Sequence, residues 1–166
     1  MATSSLGLDL LRLAPLLSST CSLLYAWDQH FFLGLLNRPE IRLRSRALLP
    51  TYFTHVFRRG LPFVLAAVAV SFGSGISNLL YLGPSSPLSW RCYVAGSVLA
   101  AAHLLYVPWI APSCHQLLLL SPHSGDDDDH DPDPNALLDG WLSVNAWRSL
   151  TVDLGAWIAF VVATAA

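Results

Sequence analysis

The sequence predicts an all-α integral membrane protein, a four-helix bundle, and three observations carry that prediction. Over 166 residues the chain is 54% hydrophobic and 12% charged, with a mean hydropathy of +0.49. A soluble domain of this size needs a more charged, patch-free surface. Four stretches approach the ~20 apolar residues that cross ~30 Å of hydrocarbon at about 1.5 Å per residue. Positive charge is confined to particular connections: lysine is absent and all nine basic residues are arginines.

The first stretch, residues 14–36, is apolar except that Asp28, Gln29 and His30 interrupt its second half. It lacks the basic leader of a signal peptide and is followed by polar residues, so it is expected to remain in the mature protein. The second, residues 61–83, reads "LPFVLAAVAVSFGSGISNLLYLG" and places Ala67, Ser71, Ser74 and Asn78 along one small, weakly polar helical face. The third, residues 92–111, aligns Gly96, Ala100, His103 and Tyr106 on one face, small enough for a second helix or a flat ligand to come close. The fourth, residues 141–166, carries Trp141, Asn145, Arg148 and Val152 at i, i+4, i+7 and i+11, again one face. Asp153 falls about 140° from Arg148 at 100° per residue, so on a regular helix the two are not partners.

Arg38, Arg42, Arg44, Arg46, Arg58 and Arg59 lie between the first two stretches, and Arg148 borders the last. Positive residues collect in cytoplasmic loops, so an even number of spans puts both termini on the lumenal side of an endomembrane. The arginine-rich segment alternates charged and apolar residues, as does a helix lying on anionic headgroups, although a solvated topogenic loop has the same charge count. Residues 121–136, with the run "DDDDHDPDP", have the composition of an exposed, disordered acidic loop. Cys21, Cys92 and Cys114 are an odd set, far apart, and read as reduced packed residues.

No G-x-G-x-x-G, P-loop, C-x-x-C or H-E-x-x-H pattern occurs, so no cofactor or metal is indicated. No basic stripe combines with stacking aromatics, which argues against nucleic acid as a partner. Chemistry is sought instead at polar groups inside the apolar stretches, where an ionisable side chain costs roughly 2.5–3.5 kcal/mol and needs a partner or a function. His103 is the best single candidate for an acid or base, against the competing reading of a neutral histidine bonded to a neighbouring helix. For Arg148 the competing reading is a side chain snorkelling to the headgroups.

Three stretches, "YFTHVFRRGLPFVLAAVAV", "YVPWIAPSCHQLL" and above all "WLSVNAWRSLTVDLGAW", resemble the anthrone oxygenase family, small four-span membrane proteins of fungal polyketide pathways. The chain departs from the family where Pro112, Ser113 and Cys114 replace a Pro-Thr-Asn turn, and in the acidic insertion before Trp141. The resemblance implies oxidation of an anthrone or related phenolic polyketide to a quinone, with O2 as co-substrate and no metal or flavin. On that reading His103 is the base, Arg148 and Asn145 donate to an oxyanion, and Trp141, Tyr106 and Trp109 wall a flat aromatic substrate. The competing function is a non-catalytic scaffold holding pathway enzymes at the membrane. The two differ in the interior: an enzyme needs a cavity on which the polar groups converge, a scaffold only a dry bundle. A transporter has less support, since no inverted repeat or paired broken helices are evident.

Overall fold

The computed structural model describes residues 2–120 and 132–166. Four helical spans are each long and apolar enough to cross a membrane, consistent with a multi-pass membrane protein. The first is α1 (Ala2–Leu36). A short helix α2 (Arg42–Ser45) sits in the connection. The second span is α3 (Leu49–Ser77), which continues as a π-helical segment Asn78–Leu82. The third comprises α4 (Pro87–Ala102), a 3₁₀ turn His103–Tyr106 and α5 (Val107–Leu119). The fourth comprises α6 (Pro134–Arg148), a π segment Ser149–Asp153 and α7 (Leu154–Ala165). First packs on second, second on third, third on fourth and fourth on first, closing the four-helix bundle that the sequence predicts.

The helices outrun the apolar stretches at several ends. The arginine-rich segment is not one surface helix: only Arg42–Ser45 is separate, and from Leu49 onward the chain already belongs to the second span. Pro50 begins that helix in its first turn, where a missing N–H costs nothing. The fourth helix starts at Pro134 rather than within an acidic loop reaching residue 136, because Asp133 caps it, accepting from the Asn135 N–H at 3.1 Å, with Pro134 in the first helical position. Residues 121–131 of that loop lie outside the described residues.

Polar side chains join the spans where small residues let them approach. Ser18 donates to the Ala67 carbonyl (2.8 Å), Ser89 to that of Ala163 (2.7 Å), and the Trp157 indole N–H to Thr20 (2.9 Å). Gly96 packs against the Phe160 ring, where a Cβ would stand 2.7 Å from Cε1, so the small face of the third span serves helix packing. At the arginine-rich end Asn37 and Asn135 exchange amide hydrogen bonds (2.8 and 2.7 Å), and Arg42 pairs with Asp139 at 2.8 Å. Arg42 therefore ties the first connection to the fourth span. The three cysteines are free, as expected, but only Cys114 is fully packed and Cys21 is exposed.

Two apolar clusters fill the interior. One, towards the arginine-rich end, gathers Leu33, Leu49, Phe53, Leu117, Leu138 and Trp141. The other gathers Tyr93, Ala100, Ala156, Phe160 and Ala163. Between them lies a band of buried polar side chains that contains His103, Asn145, Arg148 and Asp153.

Candidate active site

Asp153 organises this band, through a local departure from α-helical geometry. Past Arg148 the fourth span widens into a π turn: the Leu154 N–H reaches the carbonyl of Ser149, five residues back. An i→i+5 step brings a residue nearly above the one five positions earlier, which a 100° rotation per residue would not do. The result overturns the expectation that Arg148 and Asp153 are not same-helix partners: Arg148 Nε donates to Asp153 Oδ2 at 3.2 Å.

The other carboxylate oxygen, Oδ1, lies 2.8 Å from Nδ1 of His103. That histidine opens the 3₁₀ turn of the third span. Pro108 has no N–H to give the Leu104 carbonyl, so the Val107 N–H takes it in a tighter, three-residue bond. With Asp153 ionised, the Nδ1 of His103 carries the proton and donates it to the carboxylate, which leaves Nε2 as the basic nitrogen of the ring.

Asn145 completes the chain. Its Oδ1 accepts from Arg148 Nη2 at 2.7 Å and its Nδ2 donates to the Ala26 carbonyl at 3.3 Å, so first and fourth spans both hold the guanidinium in place. Asn145 is wholly buried, and Arg148, Asp153 and His103 are each 5–7% exposed. Arg148 thus does not snorkel outward. A carboxylate between a guanidinium and an imidazole, with every oxygen bonded, is how an ion group persists in a low-dielectric interior.

His103 and Arg148 form part of the wall of a cavity of about 160 Å³, bounded mainly by the second and third spans with Gln29 of the first and Trp141 and Arg148 of the fourth. Tyr106 and Trp141 also line it, as do Gln29, Phe57 and Cys114, to which the sequence reading gave no role at a site. Phe57 and Cys114 lie inside two of the stretches that carry the family resemblance, Cys114 at the place of the turn's asparagine, and that position was the available signal; for Gln29 it was its interruption of the first apolar stretch. Tyr106 is held by a 2.9 Å hydrogen bond to Thr151 of the π segment. Two of the residues put forward from the sequence do not line the cavity: Asn145 lies behind Arg148 with its amide N–H committed to a backbone carbonyl, and Trp109 is 65% exposed on the outer face, one helical turn beyond Tyr106. Four of the residues that line the cavity, Leu61, Leu65, Leu104 and Val107, are also exposed on the outside of the bundle. The cavity therefore grades from a buried ion group to an exposed apolar rim of side chains from the second and third spans. Among the described residues no group of three or more His, Cys, Asp or Glu is placed to hold a metal ion.

Comparison with known proteins gives relatives along nearly the whole chain. The epoxidase pydX of an Acremonium species is 28% identical over 98% of this chain and 97% of its own. The probable epoxidase scpX of Mollisia scopiformis is 31% identical over 93% of both chains. The epoxidase gkaX of Penicillium citrinum is 30% identical over 96% of this chain and 95% of its own. No family model matches the chain. No solved structure matches it either. All three relatives are named epoxidases rather than anthrone oxygenases.

Proposed function

The chain belongs to the family of these fungal epoxidases, and from that premise we propose that it is a membrane-embedded monooxygenase of secondary metabolism, placing an oxygen atom from O2 into a lipophilic polyketide-type intermediate. The observation that carries the proposal is the Asn145–Arg148–Asp153–His103 chain, of which Arg148 and His103 reach the wall of an apolar cavity with exposed leucine and valine side chains in its lining. A scaffold requires no such cavity and leaves Arg148 free to reach the headgroups; its burial and pairing favour the enzyme.

The chemistry follows from the groups present. Asp153 fixes the tautomer and orientation of His103, whose Nε2 takes a proton from an acidic C–H or O–H of the substrate. Arg148 spends Nε and one Nη2 hydrogen on Asp153 and Asn145, which leaves further N–H donors for an oxyanion forming in the cavity. The electron-rich substrate anion gives up electrons to O2 and bonds to it, yielding a peroxide. For an anthrone, the peroxide loses water across its C–H and O–O bonds, so that anthrone plus O2 gives quinone plus water. For a phenolic substrate at the hydroquinone level, the peroxide oxygen closes onto the neighbouring C=C, so that hydroquinone plus O2 gives quinone epoxide plus water. In both cases the substrate supplies all four electrons that reduce O2, so neither equation needs an external reductant or a resident cofactor. Tyr106 and Trp141 form aromatic walls for a flat ring, and the leucine and valine rim admits it from the bilayer.

The test is turnover of an anthrone and of an alkyl hydroquinone by membranes containing the protein, first anaerobic and then under ¹⁸O2. Product carrying one ¹⁸O atom, formed faster than with empty membranes and lost in His103→Gln at equal abundance, is the expected result. Neither substrate oxidised above the empty-membrane background would remove the phenolic substrate class, and full activity of His103→Gln would remove the proposed base.

A further inference from the structure

At the end of the bundle that holds Asp9 and Thr164, remote from His103, lies a second chamber of about 350 Å³ to which all four spans contribute. Asn78 is in its wall and is 2% exposed. The Asn78 Nδ2 donates to the carbonyls of Leu11 and Ser74, both at 2.8 Å. Carbonyls only accept, so the amide cannot be turned round, and Oδ1 is the atom left without a partner. A buried oxygen in that state has given up water without gaining a partner, and the chamber beside it is where a donor would come from. The backbone is shaped around this place: Asn78 opens the π segment of the second span, and Gly83, at φ 63°, turns the chain along the chamber wall.

The same wall carries one charge of each sign, Asp9 and Arg12, on successive turns of α1. Among the described residues neither belongs to an ion pair; those pairs involve Arg42, Arg46, His103 and Arg148. A neutral polar ligand would leave both charges unanswered, and a purely anionic one would face Asp9. The complement is a zwitterion whose cation also has N–H bonds to give Asn78. Along α1 from the chamber, Leu10, Leu13 and Leu17 follow i, i+3 and i+7 spacing and are all exposed, Leu13 lining the chamber itself. That stripe is a track for a hydrocarbon chain.

We propose that this chamber binds the phosphoethanolamine headgroup of a membrane lipid: the phosphate on Arg12, the primary ammonium between Asp9 and the Asn78 Oδ1, and an acyl chain along the leucine stripe. A choline headgroup has the same charges but no N–H, so it cannot answer Asn78.

The experiment is binding of phosphatidylethanolamine, phosphatidylcholine, phosphatidylglycerol and soluble glycerophosphoethanolamine to the full chain in detergent, read by native mass spectrometry. Phosphatidylethanolamine should bind at least tenfold more tightly than the choline and glycerol lipids. Asp9→Asn should remove the preference and Arg12→Gln should weaken all three lipids together, both at exposed positions, while the protein still unfolds at its usual temperature. Equal binding of ethanolamine and choline lipids, a preference that survives Asp9→Asn, or undiminished binding of all three lipids by Arg12→Gln would overturn the proposal. Glycerophosphoethanolamine binding as tightly as the intact lipid would keep the headgroup chemistry and overturn the acyl track.

Discussion

Replacing Asp153 by Asn separates the structural and chemical roles of the buried ion group. The carboxylate bonds Arg148 Nε at 3.2 Å and His103 Nδ1 at 2.8 Å, and all three side chains are buried. Asn keeps the size and one acceptor but loses the charge, so a guanidinium remains in the interior without its counter-ion. Removing one member of a buried pair costs about 3–5 kcal/mol. At about 2–4 °C per kcal/mol for a chain of this length, the unfolding temperature in detergent should fall by roughly 6–20 °C. Asn also presents an N–H to His103 or Arg148 at some orientations and no longer fixes the imidazole tautomer, and loss of acid–base catalysis is typically 10²–10⁴-fold. The double variant Arg148→Met with Asp153→Leu removes both charges and should regain most of the stability, since a buried pair replaced by apolar residues of similar volume is often neutral or better. Activity should stay lost in the double variant. The assay is thermal unfolding alongside oxygen-dependent turnover at equal abundance. An Asp153→Asn protein with unchanged unfolding temperature and full turnover would refute the reasoning about this group altogether.

Other outcomes follow from the same geometry. Asn145→Leu removes the brace on Arg148 and frees the Ala26 carbonyl, so it should cost about 1–3 kcal/mol and lower kcat more than it raises KM, in unfolding and steady-state measurements. Leu104→Trp narrows the hydrocarbon rim at a residue 44% exposed, and should reduce kcat/KM about tenfold at normal abundance. Trp109→Ala, outside the cavity, should leave the same kinetics within about twofold. Gly96→Val drives a side chain into the Phe160 ring and should destabilise the bundle by about 1–3 kcal/mol, seen as a lower unfolding temperature.

The sequence by itself determined the four spans and the importance of the polar residues within them. Hydrocarbon has no water to satisfy backbone groups, so a spanning segment must be helical, apolar and of a set length, and all three properties are written locally. The same principle singled out His103, Asn145 and Arg148, because a polar group in such a segment is costly wherever it points. What it points at is not local. His103 and Asp153 are 50 positions apart and meet because the third span packs on the fourth. Arg148 and Asp153 meet because one π turn shifts the helix phase, a change that counting at 100° per residue could not supply. An ionisable Asp153 in an apolar stretch needs a cation, yet regular helix phase sets Arg148 aside and nothing in the sequence points to His103 as its partner. Only the tertiary structure decided that it takes both, that Asn145 braces rather than lines the cavity, and that Trp109 faces outward, because those outcomes depend on backbone irregularities stabilised by the packed whole.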